Sequence, residues 1–206
     1  MAHAYHEVAF TPAVKAMQEA RGSRASYARF EDREQSGDRL GPREAAFIAA
    51  RDSFYLASVS ETGWPYVQHR GGPAGFLRVL DDATLGFADF AGNRQYVTLG
   101  NTRHEDRVSL FLMDYPNRAR LKIFGRLRVI DPADEATLAE LVVPGYRAKV
   151  ERGVAIDVTA VDWNCPQHIT PRFTPAEIEE AVAPLHQRIA VLEAELALRS
   201  AEAAAL

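Results

Sequence analysis

Short runs of alternating apolar and polar residues fill the middle of the chain. Residues 54–59 (Phe-Tyr-Leu-Ala-Ser-Val) have the texture of a strand. Glu61-Thr62-Gly63 turns the chain, and residues 65–70 return as a second strand until Gly71-Gly72-Pro73 breaks it. Residues 76–80 and 84–88 flank Asp81-Asp82 and predict a hairpin. An apolar run over 108–113 and alternation over 154–163 predict two more strands. The longest, 119–130, contains Gly125, where a bulge or a close backbone approach is expected. Seven short strands separated by turns point to a barrel or a sandwich.

Helical patterns flank this core. Thr11-Pro12 places a hydroxyl cap before a proline at the first helical position. Residues 22–41 are expected to be an irregular arm, after which Pro42 opens a short helix to about Ala50. Short helices are expected from Asn93 to Leu99 and from Asp131-Pro132 to about Leu141. Thr174-Pro175-Ala176-Glu177 is a capping box that opens the last helix. Its apolar positions, Ile178, Val182, Leu185, Ile189, Leu192 and Leu196, step by 4, 3, 4, 3, 4. This spacing serves either a coiled-coil contact or an amphipathic face on the chain's own barrel. Pro184 is expected to kink or interrupt it. The chain thus divides into an N-terminal helix and arm (1–41), a β domain (42–173) and a C-terminal helix (174–206).

Composition narrows the partners. A net charge of −4 gives no global basic field for nucleic acid or an anionic membrane. The single cysteine, Cys165, excludes an intramolecular disulfide and fits a reducing compartment. No stretch has a secretory pattern or the length of a membrane-spanning helix, so a soluble cytoplasmic protein is the expectation.

Four clusters could carry chemistry. Phe87 to Gln95 ends a strand, turns at Gly92 and leads toward a helix, with Asp89, Phe90, Asn93, Arg94 and Gln95 at the junction. Free N–H groups at a helix start and an arginine fork together suit a phosphate. Gln68-His69-Arg70-Gly71-Gly72 offers a second arginine, with glycines that let a flat ligand approach the backbone. Arg120 and Lys122 share one strand face, and could be either solvated charges or a cationic surface for an anionic ligand. Trp163-Asn164-Cys165, with His168 close behind, gathers a ring, an amide, the thiol and an imidazole. Cys-x-x-His supplies two ligands and does not close a zinc site, so no metal is expected.

In this order and spacing the elements resemble the pyridoxamine 5′-phosphate oxidase-like FMN-binding split-barrel superfamily, over about residues 40–173. The best-matching stretches are 57–66, 87–95 and 107–125; the string at 162–169 resembles its predicted flavin-nucleotide-binding branch. The resemblance implies a mainly β, α+β fold, a split β-barrel with flanking helices, that binds flavin mononucleotide (FMN) at a homodimer interface. It places Gln68, His69, Arg70, Gly71 and Gly72 at the cofactor, although the oxidase has arginine and lysine where this chain has Gln68 and Pro73. Arg94 corresponds to a retained phosphate-binding arginine, between Asn93 and Gln95. Arg120 falls where the family has a glutamine contributed by the partner subunit, and Trp163 falls near a late aromatic residue at the flavin.

The expected function is therefore an FMN-dependent oxidoreductase. Arg70 and Arg94 would hold phosphate, and Arg120 and Lys122 would favour the reduced flavin. Asn164, Cys165 and His168 would line the cleft, with Cys165 and His168 as the catalytic candidates and a nicotinamide or another donor supplying electrons. The oxidase's late substrate-binding segment survives only as Arg172, so pyridoxal phosphate synthesis is not expected. Alternatives are a non-catalytic flavin carrier or sensor, and a haem- or deazaflavin-binding split barrel in which His69 or His168 ligates haem.

Overall fold

The computed structural model describes residues 4–31, 39–163 and 166–204. Its centre is one antiparallel sheet of β1 (Ser53–Val59), β2 (Pro65–Gly71), β3 (Leu77–Asp81), β4 (Thr84–Phe90), β5 (Arg107–Asp114), β6 (Ala119–Val129) and β7 (Val150–Trp163). The strand order is β2-β1-β5-β6-β7-β4-β3. β2 and β4 thus stand near opposite ends of the sheet. The sheet curls until they face each other, and the result is a split β-barrel.

Alternation explains the curl. Phe54 and Leu56 of β1, Leu110 and Leu112 of β5, Leu121 and Ile123 of β6, Ile156 of β7 and Leu85 and Phe87 of β4 all point inward and are buried. Burying each such side chain stabilises the fold by roughly 1.5–3 kcal/mol. Phe54 stacks on Phe76 at 5.6 Å and meets Phe87 edge-on at 5.4 Å, so the barrel closes through aromatic contact between β1 and β4.

Gly125 meets both parts of its expectation. The β6–β7 register shifts between Phe124 and Gly125. A Cβ there would lie 2.7 Å from the carbonyl oxygen of Asp157, so only glycine permits this strand separation.

Helices α1 (Ala4–Ala9), α2 (Pro12–Ala20) and α3 (Arg24–Glu31) precede the barrel. Thr11 caps α2 through the Val14 N–H, as expected. α3 replaces part of the expected irregular arm, and residues 32–38 lie outside the described residues. α4 (Pro42–Ala49) buries Ile48. α5 (Val97–His104) begins four residues later than the sequence implies, because Asn93 accepts the Gln95 N–H in a turn and Arg94 and Tyr96 adopt left-handed φ of 60° and 55°. α6 (Glu135–Leu141) also starts late: Asp131 takes the Ala133 N–H in a turn, and Asp134 caps the helix through the Thr137 N–H.

α7 (Pro175–Ala204) opens at the capping box, with the Thr174 N–H donating to Glu177 at 2.7 Å and the Glu177 N–H to Thr174 at 3.3 Å. Pro184 does not interrupt it. That proline sits on an exposed face, where water can take the carbonyl that its missing N–H leaves free. Among the described residues, no helix is long and apolar enough to cross a membrane.

Candidate functional site

The split between β2 and β4 holds a cleft of about 230 Å³. Alternation along β2 aims Tyr66, Gln68 and Arg70 into it from one side. Asp89 and Phe90, at the end of β4, form the other side. The loop from Gly92 to Tyr96 and the first turn of α5 close one end, and Glu151 of β7 lies beside them.

A chain of ion pairs and hydrogen bonds organises these walls. Buried Asp89 accepts from Arg70 at 2.5 Å on one oxygen and from Arg152 at 2.8 Å on the other. Arg152 also reaches Glu151 at 2.8 Å. The Tyr96 hydroxyl donates to Glu151 at 3.3 Å and accepts from the Arg94 Nε–H at 3.1 Å. This hydroxyl, with Glu151 behind it, raises the pKa of the Arg94 guanidinium above its ordinary value. Thr98 donates to the Gln68 carbonyl oxygen at 2.8 Å and fixes that amide.

Three guanidiniums face two carboxylates in this network, which leaves one excess positive charge. Arg70 Nε is buried without a hydrogen-bond partner. The first N–H groups of α5 have no acceptor within the helix. Arg94, in contrast to Arg70, is exposed. The site therefore offers donors and positive charge to an anion, and an anion's oxygens would satisfy the buried Nε–H.

Of the residues singled out from the sequence, Gln68, Arg70, Asp89, Phe90, Asn93, Arg94 and Gln95 line this cleft together. His69 lies on the opposite face of β2, exposed, with its ring edge-on to Tyr55 at 5.6 Å. Gly71 points the same way by alternation. A Cβ on Gly72 would lie 2.7 Å from Phe76, so the close approach at that glycine is made by a core ring.

Arg120 and Lys122 lie on the outer face of β6. Arg120 sits over the Phe111 ring at 5.4 Å. Lys122 pairs with Asp162 at 3.1 Å and donates to the Tyr5 hydroxyl at 2.7 Å. Trp163 donates to Glu44 at 2.6 Å, packs edge-on against Phe47 and carries Arg43 over its ring at 4.0 Å. His168 is exposed in a turn with a left-handed φ of 63°. Asn164 and Cys165 lie outside the described residues.

The sequence reading overlooked Tyr66, Tyr96, Thr98, Glu151 and Arg152. Tyr66 was accessible by counting back in twos from Gln68 and Arg70. Glu151 and Arg152 carry no such signal, because only the β4–β7 pairing brings Glu151 to the cleft and sets Arg152 opposite Asp89 behind it.

A family model described as pyridoxamine 5′-phosphate oxidase matches residues 40–162. Among solved structures, a putative pyridoxamine 5′-phosphate oxidase from Lactobacillus delbrueckii is 19% identical, covering 62% of this chain and 96% of its own, with a TM-score of 0.46. An FMN-binding protein from Syntrophomonas wolfei is 12% identical, covering 71% of this chain and 97% of its own, with a TM-score of 0.46. A protein from Clostridium acetobutylicum related to general stress protein 26 is 15% identical, covering 66% of this chain and 94% of its own, with a TM-score of 0.41. No curated protein matches.

Proposed function

Because the chain belongs to the pyridoxamine 5′-phosphate oxidase family, we propose that it is a flavoprotein that seats FMN, phosphate foremost, in the β2–β4 cleft of a homodimer. The observation that carries this reading is the convergence of Arg70, Arg94 and the start of α5 on one cleft, with the buried Arg70 Nε–H lacking an acceptor. A phosphate matches that donor set in charge and in its number of acceptor oxygens.

Bound FMN would supply the redox chemistry. The chain's own part is to hold and orient it. Arg94, freely accessible, would clamp the phosphate from the solvent side, and Arg70, anchored by Asp89, would meet it from the sheet. Gln68, fixed by Thr98, presents its amide to the cleft as a polar contact for the rest of the ligand. A nicotinamide or another donor would supply electrons to the oxidoreductase.

The homodimer is supported by two features. At about 230 Å³ the cleft of one chain falls below the roughly 300–1,000 Å³ of complete small-molecule pockets. The outer barrel face also exposes Tyr55, Val59, Trp64 and Val67 beside an apolar groove of about 480 Å³ that includes Ala57, Pro65 and Phe124. An exposed apolar patch of this kind suits a two-fold contact. In such a dimer Arg120 and Lys122, outward-facing here, could serve the partner's site.

The test is the visible spectrum after incubation with FMN and desalting. Flavin bands retained by the native chain and weakened in Arg94→Ala support the proposal. A colourless native chain that retains no FMN overturns it.

A further inference from the structure

α7 spans 30 residues, and at the rise of an α-helix it is about 45 Å long. No other described strand or helix forms a packed interface along it. Ile178, Leu185, Ile189, Leu192 and Leu196 are all exposed, and Val182 is half-buried. A helix that carries a continuous apolar stripe into solvent has a face without a partner.

The stripe has a heptad register. With Val182, Ile189 and Leu196 at the a positions, Ile178, Leu185 and Leu192 take the d positions. Pro184 then falls at c, on the outside of the seam, as its exposure requires. Arg188 occupies g, and Glu193 occupies e of the following heptad.

We propose that α7 pairs in parallel and in register with α7 of a second copy of this chain. Two observations select that occupant. At the four central positions β-branched Val182 and Ile189 at a alternate with Leu185 and Leu192 at d, the pattern that favours two parallel strands, and the reversed Ile178 at d and Leu196 at a lie at the two ends of the stripe. Parallel pairing also sets Arg188 of each helix beside Glu193 of the other, giving two symmetric pairs of opposite charge flanking the Ile189–Leu192 layers. The contact lies apart from the barrel and does not depend on flavin binding.

Disulfide trapping in the full chain, with Cys165→Ser to remove the natural thiol, tests the pairing. Leu192→Cys should give a thiol-reversible covalent dimer on mild air oxidation, because parallel register places position 192 across from itself. Ala194→Cys, on the outer face, should not. Adding Arg188→Glu to the Leu192→Cys chain should slow trapping about fivefold, as two exposed attractions become repulsions. Adding Glu193→Arg to that chain should restore it. Absence of a dimer from Leu192→Cys, equal trapping at positions 192 and 194, or indifference to the charge reversals overturns the proposal.

Discussion

Arg70 donates to Asp89 across the gap between β2 and β4, two strands that share no backbone hydrogen bond in the sheet. The same carboxylate takes Arg152 from β7 on its other oxygen. One buried aspartate therefore fixes the width of the split and orients the cation at its base. Asp89→Asn keeps the shape but leaves the mostly buried Arg70 guanidinium without a counter-charge, and Arg152 with Glu151 as its remaining partner. The expected cost is about 2 kcal/mol, at the lower side for broken buried pairs because both arginines retain some exposure. Urea denaturation checks it, with a lowered midpoint and an unchanged slope expected.

Arg94 calls for the opposite outcome. It is exposed and donates to the Tyr96 hydroxyl, so its removal should leave stability within about 0.5 kcal/mol. FMN affinity should fall roughly tenfold to a hundredfold, the range for losing a charge-assisted hydrogen bond. Fluorescence titration with FMN, paired with a melting curve, separates the two effects.

Gly125→Ala should destabilise the barrel by about 1–3 kcal/mol. The added methyl meets the Asp157 carbonyl oxygen at 2.7 Å, and backbone on a central strand pair cannot yield as a flexible side chain would. Gly92→Ala is the control, since a Cβ there meets nothing within 4 Å. Comparison of the two midpoints in urea reads the difference directly.

The docking of α1 should weaken in alkali. Burial lowers the Lys122 pKa, but the bonds to Tyr5 and Asp162 outweigh it, and the net shift is upward from 10.5. A cation held above its unfolded value adds stability that is complete below that value and lost as pH rises through the folded one. Stability should therefore hold to about pH 10 and fall above it, and Lys122→Met should flatten that alkaline limb. Thermal melts across pH 8–12 provide the check.

Much of the fold was legible because strands announce themselves by alternation and by turn residues. Gly125 and the Thr174–Glu177 box each carried a local physical reason, and both appear as expected. The start of α5 did not, because an asparagine turn and two left-handed residues compete with the helix there. At the site, the residues of β2 and the β4–α5 junction were readable as local clusters. His69 shows the limit of reading such a cluster as a block: in a strand every second side chain faces the other way. Asp89 was visible as a residue, but its bond to Arg70 was not, since that contact exists only after the sheet has curled.

The central claim is that the β2–β4 cleft binds a flavin by its phosphate, and the most direct measurement compares the affinities of FMN and riboflavin for the full chain. The two ligands differ only in that phosphate. FMN should bind at least about tenfold more tightly, the equivalent of one charge-assisted bond, and Arg94→Ala should shrink the gap. Equal affinities in the native chain, or a preference that survives Arg94→Ala undiminished, would contradict the assignment of Arg94 and this cleft to the phosphate.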